Sequence, residues 1–434
     1  MSTAAPDYAF ATPFRTPPAS PIRSLMPYAM RPGTISLAGG YPAQELFDVE
    51  GLTIASTQVM ARLGACLQYS NIDGQASLRH ELARLSAERG LACDADTELA
   101  VTGGSQQALA LLSRVMLQPG DHAIIESPAF PNSVQALRYT GATVHTVPSG
   151  PDGIDVDALD ELAARVKPKM VCVVASFSNP CGATISRARR LRLLELAVKH
   201  RFLIVEDDPY SELRFAGEAV PPIMALAEGE ARHWAVYLAS MSKTMAPALR
   251  IGWLVAPAEI RRRCVGAKAA DDMASSAWIQ EVVAQYLANG RYAEHVPRIR
   301  AAYGLRCDAM AESLALDTNF FVARCRQPFS NMRLVHYPPQ PPSADEGIGA
   351  RSHTDKGLIT LLLNDCNGGL HVQSAHGDWI DAPPRPGALI INVGDLLTRW
   401  TNGRFRSAVH RVVNVSGNER YSIPFFHHLN YFAD

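Results

Sequence analysis

Two groups of residues in this 434-residue chain have types and spacings that could do chemistry. The first is a lysine, Lys243, in the segment Ser240-Met241-Ser242-Lys243-Thr244-Met245-Ala246-Pro247-Ala248-Leu249-Arg250-Ile251-Gly252, directly after an apolar run at 236–239. A lysine amine can condense with a carbonyl at neutral pH only if it is partly desolvated and near other cations. Lys243 has that setting, although a lone lysine is more often a solvated surface residue. The second group is His353-Thr354-Asp355 with His410. Imidazole and carboxylate suit Fe(II), and three ligands on one face leave open positions for other molecules. Residues i and i+2 of a strand point the same way, so His353 and Asp355 can share a metal while Thr354 points away. A lone His-x-Asp, again, usually binds nothing.

A glycine turn, Thr102-Gly103-Gly104-Ser105-Gln106-Gln107, opens a helical pattern whose first amides, at Gly104, Ser105 and Gln106, could cradle a phosphate. Alone, this reads equally as an ordinary turn. The lysine segment resembles the cofactor-lysine motif of the class I/II, fold type I, aminotransferases, which use pyridoxal phosphate (PLP). The resemblance implies that Lys243 forms the Schiff base and that Ser240, Ser242 and Arg250 bind the cofactor phosphate. Ser178-Asn179-Pro180-Cys181-Gly182 resembles the family's Asn-Pro-Thr-Gly loop and implies that Asn179 bonds the pyridoxal hydroxyl. In Glu206-Asp207-Asp208-Pro209-Tyr210 it implies Asp207 on the pyridine nitrogen and Tyr210 on the hydroxyl, with Phe130 stacked on the ring. Tyr69 resembles the tyrosine that reaches a neighbouring subunit's phosphate, which implies a homodimer. Ile22-Arg23 and Leu37-Ala38-Gly39-Gly40-Tyr41-Pro42 are similar to the substrate side of 2-aminoadipate-type enzymes, with Arg23 a substrate contact or a solvated residue. The resemblance fades after Leu316, and with it the small C-terminal domain whose arginine grips the substrate carboxylate.

Around the histidines, Leu334-Val335-His336-Tyr337-Pro338-Pro339, Gly368-Gly369-Leu370-His371-Val372, Pro386-Gly387-Ala388-Leu389-Ile390-Ile391-Asn392-Val393-Gly394-Asp395 and Ser407-Ala408-Val409-His410-Arg411-Val412 resemble the isopenicillin-N-synthase-like oxygenases. That resemblance implies Fe(II) held by His353, Asp355 and His410. It further implies 2-oxoglutarate held by Arg420 and Ser422 of Arg420-Tyr421-Ser422, with Tyr337 as a third contact. Only the family's C-terminal core is recognisable.

The elements that must position these residues follow from pattern and composition. From 68 to 255, helical periods alternate with short apolar runs at 122–126, 170–176, 202–206 and 236–239, as in a mostly parallel sheet covered by helices on both faces. Residues 279–316 read as helix. Beyond Asp317 the chain turns to short runs broken by Pro-Pro, Asn-Gly and Gly-Gly turns, the texture of an all-β jelly roll. The expected architecture is therefore an α/β PLP-transferase large domain over 1–316, in αβα layers, followed by a double-stranded β-helix over 317–434.

A net charge of -1 gives no electrostatic footprint for nucleic acid or an anionic membrane. The eight scattered cysteines show no CxxC pair, and no apolar run approaches a membrane span. A cytoplasmic enzyme acting on an amino acid or keto acid with dioxygen is expected, combining transamination with oxidation, in secondary metabolism. The alternative is an oxygenase whose PLP domain is a scaffold or ligand sensor. The shared cofactor motifs also leave decarboxylation, racemisation and elimination open. A DNA-binding regulator is disfavoured, because neither a helix-turn-helix segment nor a basic patch precedes the PLP region.

Overall fold

A computed structural model describes residues 8–15, 40–313, 328–339, 348–374, 376–385, 388–414 and 418–430. Arg23 and the 316/317 boundary lie outside them. The chain divides into two compact units, one comprising 1–18 and 39–304, the other 19–38 and 305–434.

The first unit is built on eight strands: β1 (Leu99–Thr102), β2 (His122–Ser127), β3 (Thr143–Gly150), β4 (Gly153–Ile154), β5 (Met170–Val173), β6 (Leu203–Asp208), β7 (Ala235–Ser240) and β8 (Gly252–Val255). They lie side by side in the order β1-β8-β7-β6-β5-β2-β3-β4. The run from β7 through β6, β5 and β2 to β3 is parallel, while β8 is antiparallel to both β7 and β1, making the sheet mixed. β8 reverses because it is joined to β7 by the short 241–251 connection, which is too short to cross the sheet. That connection carries Lys243.

Alternation along the strands creates the layers. Ile124, Val171, Ile204 and Tyr237 enter one apolar cluster with the helices Val49–Met60, Ala76–Glu88, Arg187–His200 and Ala277–Ala288. Their neighbours Ile125, Cys172, Val205 and Leu238 enter a second cluster on the other face, with the helices Ser105–Met116 and Pro131–Arg138 and with Cys264 of the helix Ala258–Asp271. Both faces being apolar, the strands read as continuous runs. The helical periodicity expected over 279–316 is carried by two helices, Ala277–Ala288 and Arg291–Ser313, separated at Gly290, whose φ of 74° a right-handed helix does not accommodate. Asp48 caps the Val49–Met60 helix through the Gly51 amide and is held by Arg291 at 2.8 Å and by Tyr286.

The second unit is antiparallel throughout its described strands: β9 (Pro328–Met332), β10 (Val335–Tyr337), β11 (Ile348–His353), β12 (Ile359–Asn364), β13 (Leu370–Gln373), β14 (Trp379–Asp381), β15 (Ile390–Val393), β16 (His410–Val413) and β17 (Arg420–Asn430). One sheet runs β10-β17-β12-β15, with β9 also on β17; the other runs β11-β16-β13-β14. Leu362 of the first sheet packs with Leu370 and Val412 of the second. Among the described residues, no helix is long and apolar enough to cross a membrane.

Candidate functional site

In the first unit the chemistry gathers where parallel strands end, the edge at which open α/β sheets bind ligands. β1 ends at Thr102 and turns through Gly103 and Gly104 into the helix Ser105–Met116, which starts without a side-chain cap. Gly104 has φ 97°, and a Cβ there would lie 2.8 Å from Arg250 Nη2, so only glycine lets that guanidinium approach. Arg250 Nη2 donates to the Gly103 carbonyl at 2.5 Å, and its Nη1 reaches Ser242 Oγ at 3.5 Å. Ser240 Oγ donates to Ser242 Oγ at 2.9 Å and accepts from the Ser242 amide at 3.1 Å. The turn glycines, two serines and the arginine thus form one cluster. Lys243 Nζ donates to the Gly40 carbonyl at 2.8 Å. Burial lowers its pKa, the direction a nucleophilic amine requires.

Asp207, the penultimate residue of β6, lies beside this cluster. Burial pushes its carboxyl up to about 7, with the Asp208 charge adding and a hydrogen bond from Ser105 opposing. Its Oδ1 is buried with no hydrogen-bond partner among the described residues. Asn179 Nδ2 lies 3.5 Å from the Tyr210 hydroxyl, which burial and the Asp207 charge push upward against that hydrogen bond. Phe130 is half-buried ahead of the helix Pro131–Arg138, and Gln106 Nε2 donates to the carbonyl of Asn132 in that helix at 3.3 Å. Tyr69 makes no hydrogen bond to any of these groups and is 80% exposed. A larger cavity of about 660 Å³, lined by Arg89, Arg190, Arg214 and Arg300, holds none of the candidate residues.

In the second unit, strand register assembles the histidines. His353 ends β11 directly opposite His410, the first residue of β16, with ring centroids 4.4 Å apart. Nitrogen and carboxylate atoms of His353, Asp355 and His410 lie within 4.8 Å of one another. Asp355 lies beyond the strand end rather than on it: the ladder stops at His353, and Asp355 is held by Asn392 Nδ2, which donates to its Oδ2 at 3.2 Å. Thr354 points away, donating to Asp395 at 3.0 Å. His353 Nδ1 lies 2.7 Å from the Arg351 carbonyl and His410 Nδ1 lies 3.0 Å from that of Ala408. A carbonyl only accepts, so each Nδ1 donates its N–H there, which leaves Nε2 as the ring atom that can ligate a metal. Tyr337, Ser422 and these three residues line one cavity of about 150 Å³. Arg420, on β17 across from Tyr337, does not line it. Arg420 is fully buried, donates to Gly368 and Asn364 at 2.6 and 2.8 Å, and leaves Nη1 with no hydrogen-bond partner among the described residues.

Residues 41–346 match the family model for aminotransferase class I and II. The chain belongs to that family. Its relatives include aromatic-amino-acid aminotransferase 1 of Thermococcus litoralis, 38% identical over 68% of this chain and 72% of the relative. A solved kynurenine aminotransferase of Pyrococcus horikoshii, in complex with PMP, is 32% identical and superposes with a TM-score of 0.67 over 76% of this chain and 82% of its own. This aminotransferase-family chain carries a second match: residues 328–429 fit the 2OG-Fe(II) oxygenase superfamily. A 2-oxoglutarate-Fe(II) type oxidoreductase of Emericella nidulans is 47% identical over 29% of this chain and 38% of the relative, so little more than a third of that enzyme's length is represented. Two enzyme families are joined in one polypeptide, the first with the PLP-transferase fold.

The residues present fit the cofactors of both families. An orphaned carboxylate oxygen on Asp207, a desolvated lysine and a glycine–serine–arginine cluster at a helix N-terminus suit pyridoxal phosphate. Two imidazoles that can present Nε2, with a carboxylate beside them, suit Fe(II), and the Tyr337 and Ser422 hydroxyls on the same cavity suit a carboxylate of 2-oxoglutarate. Sequence reasoning passed over Asn392 and Gln107. Both lie inside motifs it did single out, but their roles depend on contacts with residues distant in the chain.

Proposed function

We propose that the chain is a bifunctional enzyme, with PLP-dependent amino-acid chemistry, transamination foremost, in residues 1–316 and Fe(II)/2-oxoglutarate-dependent oxidation of a small amino-acid-derived substrate in 317–434. The observation that supports this reading is that each unit gathers a cluster of candidate groups: the Gly103-Gly104 turn with Ser240, Ser242 and Arg250 in the first, and His353, Asp355, His410, Tyr337 and Ser422 around one cavity in the second. Asp207 adds a buried Oδ1 without a hydrogen-bond partner among the described residues, an arrangement that costs about 1–3 kcal/mol and that a protonated ring nitrogen would relieve.

Pyridoxal phosphate, when bound, supplies an electron sink for negative charge at a substrate α-carbon. Asp207 would pair with the ring nitrogen and keep it protonated, Asn179 and Tyr210 would hold the ring hydroxyl, and Phe130 would support the ring face. Arg250, Ser240, Ser242 and the amides at Gly104, Ser105 and Gln106 hold the phosphate. Lys243 Nζ anchors the cofactor and then moves the α-proton. Exposed Tyr69, with Leu67 beside it 69% exposed, serves a partner subunit in a homodimer. In the second unit, read as a double-stranded β-helix, Fe(II) with 2-oxoglutarate supplies dioxygen activation. His353, Asp355 and His410 present one ligand face; Ser422 and Tyr337, which line the same cavity, would orient the co-substrate, and Arg420, buried outside that cavity against the Tyr337 ring, would join them on a shift of its guanidinium. Transamination from glutamate releases 2-oxoglutarate, which the second site consumes.

Absorbance of the protein loaded with PLP, then titrated anaerobically with Fe(II) and 2-oxoglutarate, tests the reading. Both a lysine-bound pyridoxal band and an iron-to-2-oxoglutarate band are expected. Lys243→Ala should remove only the first and His353→Ala only the second. If wild-type protein shows only the iron band, the PLP unit is a scaffold, and bifunctionality is refuted.

A further inference from the structure

A buried cation behind the glycine turn has no role in the sites described so far. Lys268, on the helix Ala258–Asp271, has a side chain 1% exposed, and its Nζ donates to Asp272 Oδ1 at 2.9 Å. An ordinary i,i+4 pair contributes only about 0.3–0.5 kcal/mol, whereas burying an ammonium costs several kcal/mol. The pair is extended on its other side. Asp272 Oδ2 accepts from Gln107 Nε2 at 2.9 Å, and Gln107 Oε1 accepts from the Gly103 amide at 2.6 Å. The Gly103 carbonyl in turn accepts from Arg250 Nη2 at 2.5 Å.

This chain of bonds has one possible polarity. An ammonium only donates and a carboxylate only accepts, so the Gln107 NH₂ must face Asp272, and its oxygen must face the Gly103 N–H. Turning the Gln107 amide over would set donor against donor at Gly103 and acceptor against acceptor at Asp272. Gly103 is thereby gripped at its amide by Gln107 and at its carbonyl by Arg250. Its neighbour Gly104, at φ 97°, begins the helix whose first amides face the phosphate position.

We infer that Lys268, Asp272 and Gln107 form a positioning relay that sets the orientation of the Gly103-Gly104 turn and of Arg250, and thereby the affinity for the cofactor's phosphate in particular. The inference rests on the reading of residues 103–106 and Arg250 as the phosphate site. None of the three relay residues is among the groups assigned to the cofactor. Their effect is confined to the placement of those groups, and such placement tolerates displacements of only about 0.5 Å.

The test compares two probes on the full-length chain: pyridoxal phosphate, and pyridoxal, which has the same ring and aldehyde without the phosphate. Dissociation constants are measured by absorbance titration for wild type, Gln107→Met and Lys268→Met. Wild type should prefer the phosphorylated probe. Each variant should lose about tenfold or more in affinity for pyridoxal phosphate, about 1.4 kcal/mol, while binding pyridoxal within about twofold of wild type, so the preference collapses. Equal loss for both probes would mean general structural support and would overturn the relay, as would unchanged affinity for pyridoxal phosphate. Should Lys268→Met fail to fold, Gln107→Met, at a half-buried position, decides the matter by itself. A wild-type protein that binds both probes equally would refute the phosphate site itself, and the relay with it, in a measurement that involves no variant.

Discussion

Replacing Asp207 by asparagine should stabilise the protein without cofactor and weaken its hold on the cofactor. The Asp207 carboxyl is pushed from 3.8 to about 7, chiefly by burial. A folded-state pKa above the unfolded value means that the folded protein binds more protons than the unfolded chain between those two pH values. Stability therefore falls as pH rises through that window, and the full penalty is present above pH 7. Three pKa units at about 1.4 kcal/mol each give a penalty on the order of 4 kcal/mol. Asparagine has a similar shape and carries no charge to desolvate, so the cofactor-free variant should unfold at a higher temperature than wild type at pH 8. The gap should narrow at pH 5.5 and close toward pH 4. With pyridoxal phosphate the order changes. Losing one partner of a buried charge pair costs about 2–5 kcal/mol, so the dissociation constant should rise by a factor on the order of 100, and the melting-temperature gain on adding cofactor should shrink. Thermal unfolding of both proteins at the three pH values, with and without cofactor, reads all of this. A cofactor-free variant no more stable than wild type at pH 8, together with unchanged cofactor affinity, would show that Asp207 is neither strained by burial nor paired with the ring nitrogen.

Asn392→Ala removes the donor that holds Asp355 Oδ2 while leaving all three ligand side chains in place. Such supporting groups are worth about 10–100-fold in metal affinity, so Fe(II) titration should show a loss of that size with the PLP absorbance unaffected; no loss would mean that the turn alone fixes Asp355. Asp48→Ala removes a helix cap and the partner of Arg291, and should cost about 1–2 kcal/mol in chemical unfolding. Burial alone would raise the Asp48 carboxyl, but hydrogen bonds from Arg291, the Gly51 amide and Tyr286 outweigh it and hold it at about 2. A depressed carboxyl contributes stability above its ordinary pKa and loses it as pH falls toward 2. The wild-type advantage over Asp48→Ala should therefore be constant from pH 7 to 5 and fade below pH 4; an advantage that persists undiminished at pH 2.5 would contradict the assignment.

Much of this protein was legible from local pattern. Parallel strands buried on two faces must be apolar throughout, so β2, β5, β6 and β7 stood out as runs, and the change to turn-rich short segments marked the second unit. The candidate residues Lys243, Asp207, His353 and His410 stood out because their types and spacing match the motifs of the two families. Other features needed the third dimension. The 241–251 connection forces β8 to run antiparallel, which gives the sheet its mixed character. Asp355 falls past the end of β11 and depends on Asn392, which comes from a strand of the other sheet. Tyr337 and Ser422 reach the metal cavity while Arg420, two residues from Ser422 on the same strand, does not. The polarity of the Lys268-Asp272-Gln107-Gly103 chain could not be read from sequence, because it joins two helices about 160 residues apart and depends on which atom donates to which. Sequence alone determines residue type, periodicity and local turn chemistry, since these act between near neighbours. Burial, hydrogen-bond direction and the shifted pKa of Asp207 belong to the tertiary structure, since desolvation and partner choice arise only when distant segments close over one another.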